Sequence, residues 1–180
     1  MTFDTAAYGP EVAALLALDG HGERPLPLVQ RRCAPAEARR RLQAATAREL
    51  FPTSVCPEPA FAGLWLYFGG WAEAHDGVQD LPGREAAYWH AIVHRMEPDA
   101  WNAGYWFHQV GAHAIFGKLR AEAVARGIDF GPRWDPFAFV EWCEEARRKP
   151  GGEGERQASA VQLIEWQLLF DFCARHAIAS

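Results

Sequence analysis

Between residues 60 and 127, glycine and proline cut the chain into apolar segments of nine to twelve residues, long for strands and close to the length of short helices. The segments run Ala60 to Phe68, Trp71 to Asp80, Glu85 to Met96, Asp99 to Val110 and Ile115 to Arg126. Their boundaries are Gly69-Gly70, Pro82-Gly83, Pro98-Asp99, Gly111 and Gly127, residues that stop or cap helices. No stretch of useful length alternates apolar and polar residues as a strand would, so the expected fold class is all-α.

The rest of the chain agrees. Pro10 to Leu18 reads as a short helix stopped by Asp19-Gly20 and His21-Gly22, and an irregular stretch through Pro25 and Pro27 leads to Cys33. Ala34-Pro35-Ala36-Glu37 opens a helix that the spacing of Leu42, Ala45 and Leu50 carries to Phe51, after which Pro52, Pro57 and Pro59 are expected to break the chain. Asp135-Pro136 starts a helix to Arg148 with aspartate as N-cap and proline at the first helical position. Residues 149–155 form a glycine-rich loop before a C-terminal helix from Arg156 to about His176. Residues 1–180 are thus expected to be a single helical domain. Residues 1–59 would carry N-terminal helices and proline-rich segments, and 60–127 the core hairpins. With 180 residues and 49% hydrophobic content, such a domain buries about 70% of the surface its unfolded chain exposes.

Several function classes are excluded by composition. The longest nearly apolar run, Ala60 to Ala72, is too short to span a bilayer, and Met1 to Tyr8 has no secretory pattern, so no membrane partner and a cytoplasmic protein are expected. Cys33, Cys56, Cys143 and Cys173 form no C-x-x-C pair and read as reduced, mostly buried thiols. A net charge of −5 argues against a nucleic-acid partner, and Arg39-Arg40-Arg41 reads as a solvated helix face. The only lysines are Lys118 and Lys149, and the only serines Ser54, Ser159 and Ser180, none of them in a nucleophile elbow. Covalent catalysis by lysine or serine is therefore disfavoured. The scarcity of lysine beside abundant alanine and glycine suggests a GC-rich bacterial genome.

What remains is a histidine pattern. His90 and His94 lie four residues apart, which places both imidazoles on one helix face, one turn from each other, as two ligands of one metal ion require. Tyr88, Trp89, Ile92, Val93 and Met96 gather on the other side, and Ala86, Ala87 and Ala91 flank the histidines. Polar residues opposite an apolar stripe ordinarily point into water. The small alanines also allow a neighbouring helix to approach, in which case the histidines line a cleft. His75, on the preceding helix, would then join them, with Glu73, Asp76 and Glu97 near in sequence. Glu97, beside Arg95, is either that arginine's ion-pair partner or an acid/base group, and Asp99 is placed to cap the next helix. The many tryptophans, tyrosines and phenylalanines around these residues are mainly core.

The run Tyr88-Trp89-His90-Ala91-Ile92-Val93-His94-Arg95-Met96-Glu97-Pro98-Asp99, followed by Asn102-Ala103-Gly104-Tyr105-Trp106-Phe107, resembles the signature of an uncharacterised family of all-helical bacterial and fungal proteins of unknown activity. The resemblance covers the middle third of the chain. It implies that His75, His90, His94, Arg95, Glu97, Asn102 and Trp106 belong to one constellation. Where the signature carries arginines after Tyr-Trp-Phe, this chain has His108 and Gln109. A fainter likeness, between Gly70-Trp71-Ala72-Glu73-Ala74-His75 and Ala100-Trp101-Asn102-Ala103-Gly104-Tyr105, resembles tetratricopeptide or Sel1-like repeats and would stack two helical hairpins. A plain helical bundle is the other architecture open to the sequence.

Two functions follow as expectations. One is a small-ligand or metal site in a histidine-lined cleft. Its metal ligands are His75, His90 and His94, its wider ligand-binding set adds Arg95, Asn102 and Trp106, and Glu97 is the candidate catalytic residue. The donor set suits zinc or a similar divalent transition metal. The other is a non-enzymatic scaffold of tetratricopeptide type that binds a peptide or protein, with self-association compatible with either.

Overall fold

A computed structural model describes residues 3–30 and 35–175. Cys33, the Ala34 start of the second helix and the His176 end of the last lie outside the described residues. Among those described there are ten α-helices, two 3-10 turns and no strand, so the fold is all-α.

The chain enters through a 3-10 turn, Thr5–Tyr8, into α1 (Pro10–Leu16), which runs on as a second 3-10 turn, Ala17–Gly22. The single helix expected up to Phe51 is two helices, α2 (Ala36–Ala44) and α3 (Ala47–Leu50). Thr46 causes the break. Its backbone is extended and its side chain accepts from the Glu49 N–H, while the Glu49 carboxylate accepts from the Thr46 N–H. This reciprocal cap satisfies two donors that a continuous helix would have used internally.

Helix α4 (Pro57–Tyr67) starts three residues before the expected position, with Pro57 and Pro59 inside its first turn rather than breaking the chain. The first N–H groups of a helix have no internal acceptor, so two prolines there remove nothing the helix needs. Next come α5 (Trp71–Val78), α6 (Arg84–Met96), α7 (Ala100–Val110) and α8 (Phe116–Val124). As expected, Asp99 caps α7, accepting from the Asn102 N–H, and Asp135 caps α9 (Pro136–Arg147). The loop after α9 is shorter than its glycine content suggests, because α10 (Glu153–Arg175) already begins at Glu153.

Helices α4 to α7 pack each against the next in chain order, and α10 lies along α4, α8 and α9. In α6 every residue from Ala86 to Met96 is buried, so the helix is enclosed on all sides. Arg95 is consequently in the core, paired with Glu165 of α10, and not beside Glu97 as their adjacency in sequence had suggested. Between α4 and α6, Gly63 receives the Trp89 ring against its Cα and accepts a 2.8 Å hydrogen bond on its carbonyl from Trp166 Nε1. The two tryptophans that the repeat alignment equates differ in environment: Trp71 is packed and donates to the Val93 carbonyl, whereas Trp101 is 78% exposed. Arg39, Arg40 and Arg41 lie on the outer side of α2, paired with Glu73, Glu37 and Glu11. No helix among the described residues is long and apolar enough to cross a membrane.

Candidate metal centre

The site is built from α5, α6 and the first turns of α7. His75 stands one turn after Trp71 on α5, and the two rings stack with centroids 5.4 Å apart. Trp71 is itself fixed by its 2.9 Å hydrogen bond from Nε1 to the carbonyl of Val93 on α6. On α6, His90 and His94 stack on each other at 4.8 Å and 18°, the parallel arrangement that an i, i+4 pair adopts on one helix face. The His75 ring meets both edge-on, at 4.7 Å and 5.4 Å. From α7, Trp106 covers His90 with a centroid distance of 4.0 Å.

Each histidine offers one ring nitrogen to a group whose members all lie within 4.8 Å of one another. His90 Nε2 and His75 Nε2 are 3.1 Å apart. Two nitrogens bound to one tetrahedral zinc at about 2.0–2.1 Å are separated by about 3.3 Å, so this pair needs little movement to share an ion. Without an ion the same contact is a hydrogen bond from one neutral imidazole to the other.

The outer nitrogens face carboxylates. His94 Nδ1 lies 3.3 Å from Glu97 Oε2 without the alignment of a hydrogen bond, and His75 Nδ1 lies 3.6 Å from Asp76 Oδ1. At these distances neither carboxylate holds its ring by a hydrogen bond, although each stands where a modest shift would let Nδ1–H donate to it. His90 Nδ1 is buried with no partner. A second group, His94, Glu97 and Asp99, shares His94 with the first, and its ligand atoms also lie within 4.8 Å of one another.

His90 is 3% exposed and His94 9%, so the pair does not point into water. Burial, followed by the neighbouring His94 and His75, pushes the His90 pKa down to about 4. His94 is lowered as well, by burial and then by His75, against the opposing pull of Glu97 and Asp99. Both rings are therefore neutral at pH 7, the form that ligates a metal.

Of the sequence-derived candidates, the structure brings together His75, His90, His94 and Trp106, with Glu97 at the rim. Asn102 is one step removed, its side chain donating to Asp99 Oδ2. Arg95 is not part of the group, because it points away into the core and pairs with Glu165. Glu73 is paired with Arg39 of α2. Sequence reasoning overlooked Trp71 as a support for His75, although its i, i−4 position on the same helix was a legible signal. It also confined Asp99 to capping.

Compared with known proteins, the chain finds no counterpart: no protein-family model, no curated protein and no solved structure matches it.

Proposed function

We propose that the protein binds a divalent transition metal ion of the zinc type through His75, His90 and His94. The observation that carries this reading is the convergence of three imidazoles from two helices, with ligand atoms all within 4.8 Å, in surroundings that keep His90 neutral. Glu97 stands at His94 Nδ1, on the side of that ring away from the ion this reading places at Nε2, so its part is to support the ligand rather than to take a proton from a metal-bound water. A reducing cytoplasmic setting fits the three described cysteines, all of them free thiols.

The test is metal analysis of untagged protein after dialysis against limiting zinc. One equivalent should be retained by the wild type and lost in a His90→Ala, His94→Ala double variant. Wild-type protein that retains none, and whose melting temperature ignores added zinc, overturns the reading.

A second reading, a scaffold that binds a peptide or another protein, is favoured by Trp101 and Tyr105, exposed by 78% and 49% and stacked at 14° on the outer side of α7. A Trp101→Ala, Tyr105→Ala variant would then lose the partner while keeping its metal.

A further inference from the structure

On another side of α7 a cavity of about 750 Å³ opens between α7, α8 and the segment leading into α9. Its size is that of a small-molecule site. Five aromatic rings line it: Phe107, Phe116, Phe130, Trp134 and Phe137. They hold one another in place, Phe130 and Trp134 edge to face at 5.5 Å and Phe107 against Phe137 at 6.4 Å. Rings so arranged offer flat apolar walls to a flat apolar guest.

Two donors among the residues of the wall are orphaned. Trp134 is 6% exposed, and its Nε1, which can only donate, is buried without a partner. His113 Nδ1 accepts from the Ile115 N–H at 3.3 Å, which puts the ring proton on Nε2. That Nε2 is likewise buried without a hydrogen bond, 3.8 Å from Glu85. Both nitrogens are closed off from solvent and therefore from the open cavity, so the surface a guest would meet is chiefly aromatic carbon.

Charge in the wall is one-sided. Arg120 and Arg133 face a single acid, Asp135, whose carboxylate is committed to the N–H groups of Phe137 and Ala138 at the start of α9. Arg120 is tied down, its Nε donating to the Gly131 carbonyl at 2.6 Å and its Nη2 lying 3.4 Å from Asp129. Arg133 has neither an ion pair nor a hydrogen bond to any of the described residues, so its guanidinium is free to meet an anion.

We infer that this cavity is a second binding site, distinct from the histidine cluster, that takes a planar aromatic carboxylate: the rings enclose the apolar body and Arg133 pairs with the carboxylate. Guanidinium and carboxylate match in shape and charge.

The test is calorimetric titration of chelator-treated protein, which removes any metal that could bind a carboxylate, with 2-naphthoate and its neutral analogue 2-naphthamide. The inference expects saturable one-to-one binding, with 2-naphthoate preferred by about tenfold, the worth of one charge-assisted hydrogen bond. Arg133→Gln, at an exposed position, should erase the preference for the acid in protein whose circular dichroism is unchanged. Equal affinity for acid and amide, no saturation at millimolar probe, or a preference that survives Arg133→Gln overturns it.

Discussion

Arg95 and Glu165 form an ion pair between α6 and α10 with both side chains wholly removed from water. Tyr88 donates to the other carboxylate oxygen at 2.9 Å, Gln162 accepts from Arg95 Nε at 3.3 Å, and the guanidinium lies over the Phe139 ring at 4.5 Å. Removing one member strands the other charge in the core. Glu165→Ala should therefore destabilise the fold by about 3–5 kcal/mol in denaturant titration, while a double replacement, Arg95→Met with Glu165→Leu, should cost far less. If the single and double variants lose equal stability, the pair is not what makes the site sensitive.

If the histidine cluster binds metal, the carboxylate behind His94 tunes it. Glu97→Gln should weaken zinc binding by about 10–100-fold in competition with a chelating dye. Glu73→Gln, which alters only the surface pair with Arg39, should leave it unchanged. Equal effects of the two substitutions would mean that only general surface charge matters.

A methyl group at Gly63 would sit 2.7 Å from a carbon of the Trp89 ring, which reaches across from α6. Gly63→Ala should cost about 1–3 kcal/mol despite alanine's better helix propensity, because the indole has to move within a packed core. Gly117→Ala, whose added methyl meets nothing within 4 Å, should instead gain about 0.4–1 kcal/mol. Denaturation midpoints of the two variants should shift in opposite directions.

Acid should loosen the fold in part through His113. Burial lowers its pKa, with Glu85 pulling it up and Arg84 pushing it down. In the unfolded chain the ring takes up a proton near pH 6.5 whereas the buried ring does not, so its contribution is complete above about pH 6.5 and is lost as the pH falls toward the lower folded value. A His113→Leu variant should show a shallower decline of melting temperature below pH 6.5 than the wild type. Parallel declines would remove His113 from the account.

Much of the helical order was legible because punctuation and capping are local: Asp99 and Asp135 act through N–H groups two or three residues away, and both were found where the sequence placed them. The Thr46 break was equally local, its Thr-x-x-Glu pattern standing in the sequence, yet the apolar spacing of Leu42 and Leu50 outweighed it. The meeting of His75 with His90 depends on how α5 turns onto α6, and spacing suggested it without fixing it. What Arg95 and Glu97 do was hidden for the same reason. Neighbours at a helix end can face opposite ways, and Arg95's partner lies 70 residues downstream. The cavity beside α7 was invisible, since it depends on how residues 130–137 fold back toward α7 and α8.

The placement of α10 has a consequence for how the chain is made. Its residues supply anchors for distant parts of the fold: Asp171 for Tyr8, Gln167 for Gly22, the Cys173 carbonyl for Ser54, Trp166 for Gly63. During synthesis these partners emerge early and wait, and α6 and its Arg95 leave the ribosome before the carboxylate that neutralises them. Until α10 follows, the nascent chain carries that aromatic surface uncovered. It is in that interval, rather than in the finished molecule, that holding chaperones would find it.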